Sequence, residues 1–364
     1  MFTVELHRHF EAGLRPEMIA RLAARHRVTG VRTRSGQAVP GVDPQDPASI
    51  RRYYARVAAG FSQRDGFSRF VDSFGLPLSV LQSPEDLEEA VFDQLADCAA
   101  SGSLHTELRG SPFTYLERMR ASREEVARAL LAGVDRAWRE RRISGTFVLA
   151  FSRQKGLGAN EDPPACRQAA IVAALAASLH RADRPVGLDI AGFPEMPYPP
   201  RIFETALGPA REAGVPLTVH AGEQGTPPGF PEAPAELVVE AVERLGARRV
   251  GHGTSLAASP AARALLRERR IGVECCPWSN DCMGFMPVAQ HPLPMFLAEG
   301  LLVSLSTDDP LMFGAASVGE TFERVAAPLG LGEEALAQMT TNAVETAFVS
   351  EERRRWLRDR ATAG

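Results

Sequence analysis

The segment Val4-Glu5-Leu6-His7-Arg8-His9 ends the first apolar run of the chain and carries two histidines two positions apart. In a β-strand successive side chains point to opposite faces, so His7 and His9 share one face and Arg8 faces away from it. Two imidazoles at the end of a strand are well placed to bind one metal ion. Histidine pairs are also common on protein surfaces, so the interpretation of this segment depends on what accompanies it along the chain.

Seven more short apolar runs follow the first, and amphipathic helical stretches lie between most of them. The eight runs lie near residues 3–7, 103–109, 145–152, 185–191, 215–220, 248–252, 271–276 and 301–306. Eight strand-then-helix units predict a closed parallel (β/α)8 barrel, the TIM barrel of the α/β class. We expect residues 1–364 to form this one domain.

The first connection, about residues 11–102, is too long for an ordinary barrel crossover. Its Gly/Pro/Asp-rich stretch Arg34–Pro47 predicts a surface loop with no core role. Helices are predicted over Tyr53–Phe74 and Pro84–Ala100, and we expect them to form a lid over the barrel mouth. The charged, helical Gly332–Arg360 predicts an extra C-terminal helix outside the barrel.

Composition excludes several classes of protein. Apolar residues make up 45% and charged residues 24% of the chain, as in ordinary soluble globular proteins. A net charge of -4 gives no electrostatic signal for binding nucleic acid or an anionic membrane. No stretch is long and apolar enough to span a bilayer, and residues 1–20 do not resemble a signal peptide. The five cysteines predict reduced thiols in a cytoplasmic protein rather than a disulfide framework.

Metal-binding and acid/base side chains recur where the predicted strands end, and active sites of TIM barrels lie at the C-terminal ends of the strands. These side chains are His7, His9, His220, His252, Asp308 and Asp309. Three imidazoles and one carboxylate suit zinc, with a coordination position left for water. The predicted metal ligands are therefore His7, His9, His220 and Asp308.

Other groups near these strand ends have more than one interpretation. Glu223 could act as a general acid, or it could open a helix at about residue 223. His252 could orient the attacking hydroxide or accept its proton, or it could be a solvated turn residue between two glycines. Asp309 could face the substrate, or the Thr-Asp-Asp-Pro sequence could cap the next helix. Three basic residues could line the mouth of the barrel and meet an anionic substituent of the substrate, namely His105, Arg109 and Arg153.

Several segments resemble, in order, the motifs of the adenosine deaminase family, a (β/α)8 branch of the amidohydrolase superfamily. The resemblance covers nearly the whole chain. The segments are Glu5–Glu11, Leu14–Pro16, Leu108-Arg109 with Ser111-Pro112, Leu188–Gly192, His220–Glu223, Arg249–Gly253, Glu274–Asn280, His291-Pro292 and Ser306–Pro310.

The resemblance implies hydrolytic deamination of a 6-aminopurine with one zinc ion, iron and manganese being alternatives. By this analogy a metal-activated hydroxide attacks C6, Glu223 protonates N1 and His252 positions the hydroxide. Asp309 would bond N7, the backbone of Gly192 would bond N3, and Glu11 would face the 5′ end of the sugar. His9 would lie against the substrate as well as the metal.

The chain departs from the family pattern where a ribose or its 5′ substituent would lie. Ala12 stands where a glycine is usual, and Phe193-Pro194-Glu195, Trp278, Asp281–Met283 and Ser306 are further departures. Adenosine is the expected substrate. Free adenine and a 5′-extended adenosine such as aminodeoxyfutalosine, an intermediate of menaquinone biosynthesis, are the alternatives.

Two other classes compete with this interpretation. A two-metal amidohydrolase would use a lysine on its fourth strand, but the one lysine of this chain, Lys155, follows the third run. A non-catalytic purine-binding relative would share the fold without the reaction. The complete ligand set and Glu223 favour an enzyme. A base-flipping nucleic-acid deaminase is disfavoured because its zinc signature and a basic groove are missing from the sequence.

Overall fold

Eight parallel strands form one sheet, in chain order, in a computed structural model that describes residues 2–63, 65–116, 118–153, 167–192, 198–223 and 234–361. The strands are β1 Thr3–His9, β2 Ser103–Gly110, β3 Ser144–Ser152, β4 Gly187–Ala191, β5 Leu217–Ala221, β6 Arg249–His252, β7 Gly272–Cys275 and β8 Leu302–Leu305. Each predicted run matches its strand to within two residues at either end.

The sheet closes between its first and last strands, just after β8 ends. The backbone N–H of His9 donates to the carbonyl of Asp308 at 2.9 Å, and the N–H of Asp308 donates to the carbonyl of His7 at 3.0 Å. These bonds form a parallel bridge between Arg8 and Asp308. The predicted TIM barrel is confirmed, and its closure brings the end of β1 beside the residues that follow β8.

Helices fill the connections between the strands. They are α1 Pro16–Arg25, α2 Pro47–Ala58, α3 Gly66–Ser73, α4 Gly75–Val80, α5 Pro84–Ala100, α6 Pro112–Leu116, α7 Arg123–Arg141, α8 Arg167–Leu179, α9 Gly208–Glu212, α10 Ala235–Glu243, α11 Pro260–Glu268, α12 Pro277–Cys282, α13 Leu293–Ala298, α14 Pro310–Phe313, α15 Val318–Leu329, α16 Glu333–Thr346 and α17 Glu351–Ala361. Short 3₁₀ helices lie at Glu11–Gly13, Pro200–Phe203, Thr254–Ala258 and Val288–Gln290.

The insertion after β1 differs from its prediction in two ways. The helix predicted over Tyr53–Phe74 is interrupted between α2 and α3. A Cβ at Gly66 would lie 1.6 Å from the carbonyl oxygen of Phe61, so only glycine permits this close approach of the chain.

The expectation that Pro84–Ala100 belongs to a lid is wrong, because α5 packs against α7 and β2 as a wall helix of the barrel. Gly133 of α7 allows that contact, since a Cβ there would lie 2.7 Å from the Cβ of Val91.

The C-terminal region forms two helices rather than the single predicted one. α16 packs against β1 and β8, and α17 packs against α16 and β2. Their apolar side chains join those of β1 and β2 in a small core outside the barrel, formed by Val4, Leu6, Leu104, Ala343, Val344, Ala347 and Leu357. No helix among the described residues is both long and apolar enough to cross a membrane.

Candidate metal and catalytic site

The C-terminal ends of the strands surround a cavity of about 610 Å³. All of the predicted metal-binding, catalytic and substrate-binding residues except His7 line this cavity. The lining residues among them are His9, Glu11, Gly192, His220, Glu223, His252, Asp308 and Asp309. His7 lies beneath, fully buried, with its ring 4.6 Å from that of His220 between centroids.

Four of these side chains direct nitrogen or oxygen atoms at one point. Nε2 of His9 lies 3.3 Å from Nε2 of His220 and 3.4 Å from Oδ1 of Asp308. Nε2 of His7 lies 3.2 Å from the same Oδ1. Within the described part of the chain, Nε2 of His7 and Oδ1 of Asp308 are buried without a hydrogen-bond partner. Buried polar atoms left unpaired are costly, so this donor set fits a metal ion.

Two carboxylates behind the histidines orient the imidazole rings. Nδ1 of His7 lies 2.7 Å from Oε2 of Glu274, and Nδ1 of His220 lies 3.1 Å from Oδ1 of Asp189. A carboxylate can only accept, so each Nδ1 carries the proton and each Nε2 presents its lone pair to the metal position. Asp189 and Glu274 lie in segments that resemble family motifs, but their role behind the histidines was not predicted from the sequence.

The prediction that Arg109, His105 and Arg153 line the mouth is wrong. Arg109 is fully buried on β2 and donates to Oδ2 of Asp189 at 3.1 Å and Oε2 of Glu274 at 2.9 Å. Nδ1 of His105 lies 2.9 Å from the hydroxyl of Ser144, and Arg153 donates to the carbonyls of Tyr198 and His220. Buried cationic groups need acceptors, and the barrel interior supplies them here.

Burial and ion pairing set the charge states of these groups. Burial raises the pKa of Glu274, but the Arg109 and Arg249 guanidinium groups outweigh it and hold the pKa well below its usual range. Burial likewise raises the pKa of Asp308, but the contacts with His7, and then the charges of His252 and His9, hold that pKa well below the ordinary value. Burial lowers the pKa of His9 to about 3. Anionic carboxylates and neutral imidazoles are the forms that bind a metal ion.

Glu223 and His252 form a pair beside this cluster, and the ring of His252 lies 5.0 Å from that of His7 between centroids. Oε1 of Glu223 lies 3.2 Å from Nδ1 of His252 and accepts from the amide of Asn280 at 3.0 Å. Asn280 lies in α12 and is fully buried. The alternative of a solvated turn histidine is wrong, because His252 is 2% exposed.

The backbone at two site residues is left-handed, a conformation that non-glycine residues rarely adopt. His252 has φ 63° and Asp308 has φ 64°. Such residues cost free energy and persist where the surrounding structure holds them, which is typical of functional sites. Ser279 helps to hold Asp308 in this conformation, because its hydroxyl donates to Oδ2 of Asp308 at 2.6 Å.

Asp309, Glu11 and Gly192 are the other predicted site residues that line the cavity. Asp309 is buried, its Oδ1 has no hydrogen-bond partner among the described residues, and it forms no side-chain cap on α14, so the helix-capping alternative is wrong. Burial and the neighbouring Asp308 raise the pKa of Asp309 well above its usual value. Glu11 accepts from the hydroxyl of Tyr115 at 2.8 Å. Gly192 follows β4 with φ 97°, which favours glycine.

Much of the cavity lining is aromatic. Its phenylalanines are Phe67, Phe70, Phe74, Phe113, Phe151, Phe285 and Phe313, of which the first three come from α3 and its C-terminal end. Phe70 and Phe313 stack with an interplanar angle of 3° and ring centroids 5.8 Å apart. The prediction that Arg34–Pro47 has no core role is also wrong, because Arg34 lines the cavity and Val42 is buried.

Some predictions involve residues that the structure does not describe. Lys155, Cys166 and Phe193-Pro194-Glu195 lie outside the described ranges. The strand that a carbamylated lysine would require, β4, contains none in its sequence Gly187–Ala191. Among the described cysteines, Cys98, Cys275 and Cys276 are buried thiols and no disulfide forms.

Comparison with known proteins gives consistent results. The sequence model of the family described as adenosine deaminase matches residues 3–363. A Klebsiella pneumoniae protein named adenosine deaminase is 34% identical over 289 residues, covering 79% of this chain and 80% of that protein. An Escherichia coli protein of the same name is 30% identical over 361 residues, covering 99% and 97%. Among solved structures, an adenine deaminase from Arthrobacter aurescens has a TM-score of 0.79 at 26% identity, covering 99% and 98%.

Proposed function

Because this chain belongs to the adenosine deaminase family, we propose that it deaminates adenosine hydrolytically, yielding inosine and ammonia. The observation that carries the proposal is the pair of clusters facing one cavity. One cluster holds His7, His9, His220 and Asp308, and the adjoining pair holds Glu223 and His252, 3.2 Å apart. The first suits a metal ion and the second suits proton transfer at the position of a bound purine.

His7, His9, His220 and Asp308 would hold one zinc ion, iron and manganese being the alternatives. The bound ion would lower the pKa of a water molecule and so supply the nucleophile at neutral pH. Glu274 and Asp189 keep the imidazoles of His7 and His220 in the tautomer that this requires. Arg109 donates to both carboxylates and fixes them relative to each other.

Glu223 would hold the proton that the purine N1 receives during attack on C6. The amide of Asn280 donates to Oε1 of Glu223, which limits rotation of the carboxyl group. His252 would orient the attacking oxygen and accept its proton. Its burial and its left-handed backbone, which the surrounding structure must hold, support a fixed orientation of the ring.

Three further groups would orient the purine nucleoside. Asp309 would hydrogen-bond N7, and its Oδ1, unpartnered among the described residues, supports that role. The backbone of Gly192 would bond N3, and Glu11 would face the 5′ end of the sugar. His9, which is partly exposed to the cavity, would contact the substrate beside the metal.

A second candidate is a 5′-extended adenosine such as aminodeoxyfutalosine. The phenylalanines that line the cavity support this candidate, because the apolar part of a 5′ extension would gain burial against them. The purine chemistry is the same in both cases. The two candidates differ in what fills the outer part of the cavity.

The test is a parallel UV assay of zinc-loaded protein with adenosine, adenine and aminodeoxyfutalosine. A kcat/KM highest for adenosine supports the main proposal, and one highest for the extended nucleoside supports the second candidate. Preference for free adenine would contradict both assignments of the outer cavity. A zinc-loaded protein that turns over none of the three would overturn the deaminase proposal and favour a purine-binding relative.

A further inference from the structure

Arg8 lies between two proposed metal ligands, yet its side chain faces away from the metal position. It is 2% exposed and lines a separate cavity of about 430 Å³ on the outer side of β1. A buried guanidinium carries a large desolvation cost, so its partners indicate what it does there.

The guanidinium group of Arg8 joins the two ends of one segment. Nη1 donates to the carbonyl of Ala316 at 3.0 Å and to the hydroxyl of Thr307 at 3.4 Å. Thr307 and Ala316 bound the segment Thr307–Ala316, which we call the aspartate segment. It contains Asp308, Asp309 and the short helix α14.

Glu5 completes this arrangement from the same strand. Its Oε2 lies 3.4 Å from Nη1 of Arg8. Its Oε1 accepts from the backbone N–H of Thr307 at 2.9 Å and from the hydroxyl of the same residue. The ion pair on β1 therefore holds the residue immediately before Asp308 through both its main chain and its side chain.

The aspartate segment needs such support because its first carboxylate sits on unfavourable backbone. Asp308 has φ 64°, and the conformation is maintained by the bridge to β1 and by the contacts at Thr307. Without them the segment would relax toward ordinary backbone angles. Such relaxation would move the Asp308 carboxylate away from Nε2 of His7 and His9.

We propose that Arg8 is a positioning residue, which together with Glu5 fixes the aspartate segment so that Asp308 reaches the metal position and Asp309 faces the purine. The inference rests on the metal ligands of the proposed function. It concerns a side chain that touches neither metal nor substrate. A role in stability alone would lower the unfolding free energy of an Arg8 variant and leave its metal affinity unchanged.

The experiment measures zinc affinity of the full chain by competition with a chromophoric chelator. Arg8→Met should raise the zinc Kd by about 10- to 100-fold, as loss of residues supporting metal ligands typically does. Arg8→Lys should fall between this variant and the wild type, because one ammonium cannot hold both Thr307 and Ala316 as the planar fork does. The control is Arg51→Met. Arg51 lines the same cavity of about 430 Å³ as Arg8, and it pairs with Glu17 at the surface.

Steady-state kinetics at saturating zinc give a second readout. Displacement of Asp309 should raise KM in Arg8→Met even when the metal site is filled, whereas Arg51→Met should retain the wild-type KM. If Arg8→Met does not fold, Thr307→Val replaces it, because this variant removes the shared hydroxyl and keeps the main-chain N–H. Its zinc Kd should rise in the same direction by a smaller factor.

Two outcomes would overturn the inference, and they are distinguishable. Wild-type zinc affinity in the folded Arg8 variants, or in Thr307→Val where Arg8→Met does not fold, overturns the role of Arg8 alone. A wild-type chain that binds none of zinc, iron and manganese overturns the proposed metal ligands and the role of Arg8 with them.

Discussion

Nδ1 of His7 and Oε2 of Glu274 lie 2.7 Å apart in the barrel interior, and neither side chain is exposed to solvent. The two residues are 267 positions apart in the chain, on β1 and β7. This contact connects the metal position to the ion pairs beneath it, because Glu274 also accepts from Arg109 and Arg249. Stability of the barrel and geometry of the proposed metal site are therefore expected to depend on the same carboxylate.

Replacement of Glu274 should be strongly destabilising. Glu274→Gln removes the charge that balances two buried guanidinium groups, and loss of one partner of a buried ion pair typically costs about 3–5 kcal/mol. Urea unfolding of the purified variant measures this loss. Glu204→Gln is the control, because Glu204 pairs with Arg244 at the surface and should contribute at most about 1 kcal/mol. Equal unfolding free energies for the two variants would contradict the role of Glu274.

Removal of the metal should lower the thermal stability. A ligand at 1,000 times its Kd stabilises the folded state by about 4 kcal/mol, and a chelator withdraws that contribution. Thermal unfolding of wild type with chelator, and then with zinc restored, should show a reversible shift of Tm. His220→Ala should lose this zinc response and His180→Ala, outside the cavity, should keep it. A full zinc response in His220→Ala would exclude His220 as a ligand.

Glu223→Gln should abolish most catalysis while leaving the metal site intact. Loss of a positioned acid typically costs about 100- to 10,000-fold in rate. The kcat of the zinc-loaded variant measures this, and its zinc content should remain at the wild-type level. Glu299→Gln provides the control, since that half-buried carboxylate pairs with Arg263 and does not line the cavity. Wild-type kcat in Glu223→Gln would rule out the proposed acid.

If Asp309 contacts N7, the loss of kcat/KM in an Asp309 variant should depend on whether the nucleoside has an N7 atom. Asp309→Ala should lower kcat/KM for adenosine by about 5- to 150-fold, the equivalent of one buried hydrogen bond worth about 1–3 kcal/mol. With 7-deazaadenosine, which lacks the N7 lone pair, the same variant should lose far less. Asp309→Asn retains a hydrogen-bond donor, so its kcat/KM for adenosine should lie between those of the wild type and Asp309→Ala. Equal losses of kcat/KM for the two nucleosides would exclude a contact between Asp309 and N7.

Acid should destabilise the fold through His291, a buried residue outside the proposed metal site. Burial lowers the pKa of His291 from 6.5 to about 3, so the imidazole is neutral in the folded state. Between these pH values the unfolded chain binds a proton that the folded chain does not. The stability that the neutral imidazole of His291 contributes is therefore complete above pH 6.5 and is lost as the pH falls toward 3.

The test compares wild type with His291→Asn, which cannot be protonated and retains an acceptor for the N–H of Leu293. From pH 8 to pH 5 the wild type should lose about 2 kcal/mol more unfolding free energy than the variant, at about 1.4 kcal/mol per pH unit. Urea unfolding at pH 8, 6 and 5 gives the comparison. Parallel losses in both proteins would contradict the effect of His291.

Local patterns were enough to predict the barrel and the composition of its active end. The eight apolar runs indicated the strands because alternation and turn signals depend on near neighbours in the chain. His7, His220, His252 and Asp308 could be placed together because the strand ends of a parallel barrel all meet at one face. The interruption between α2 and α3 was missed because it depends on the approach of Gly66 to Phe61, which periodicity does not reveal.

The amino-acid sequence by itself determined which residues stand at the C-terminal ends of the strands, and so the metal-binding and proton-transferring groups available to the site. Only the tertiary structure decided that Arg109 lies beneath the site between Asp189 and Glu274 instead of at the mouth. It also decided that Arg8 holds the aspartate segment. The reason is that a buried charge takes its position from partners far away in the chain, and barrel closure alone brings those partners within hydrogen-bond distance.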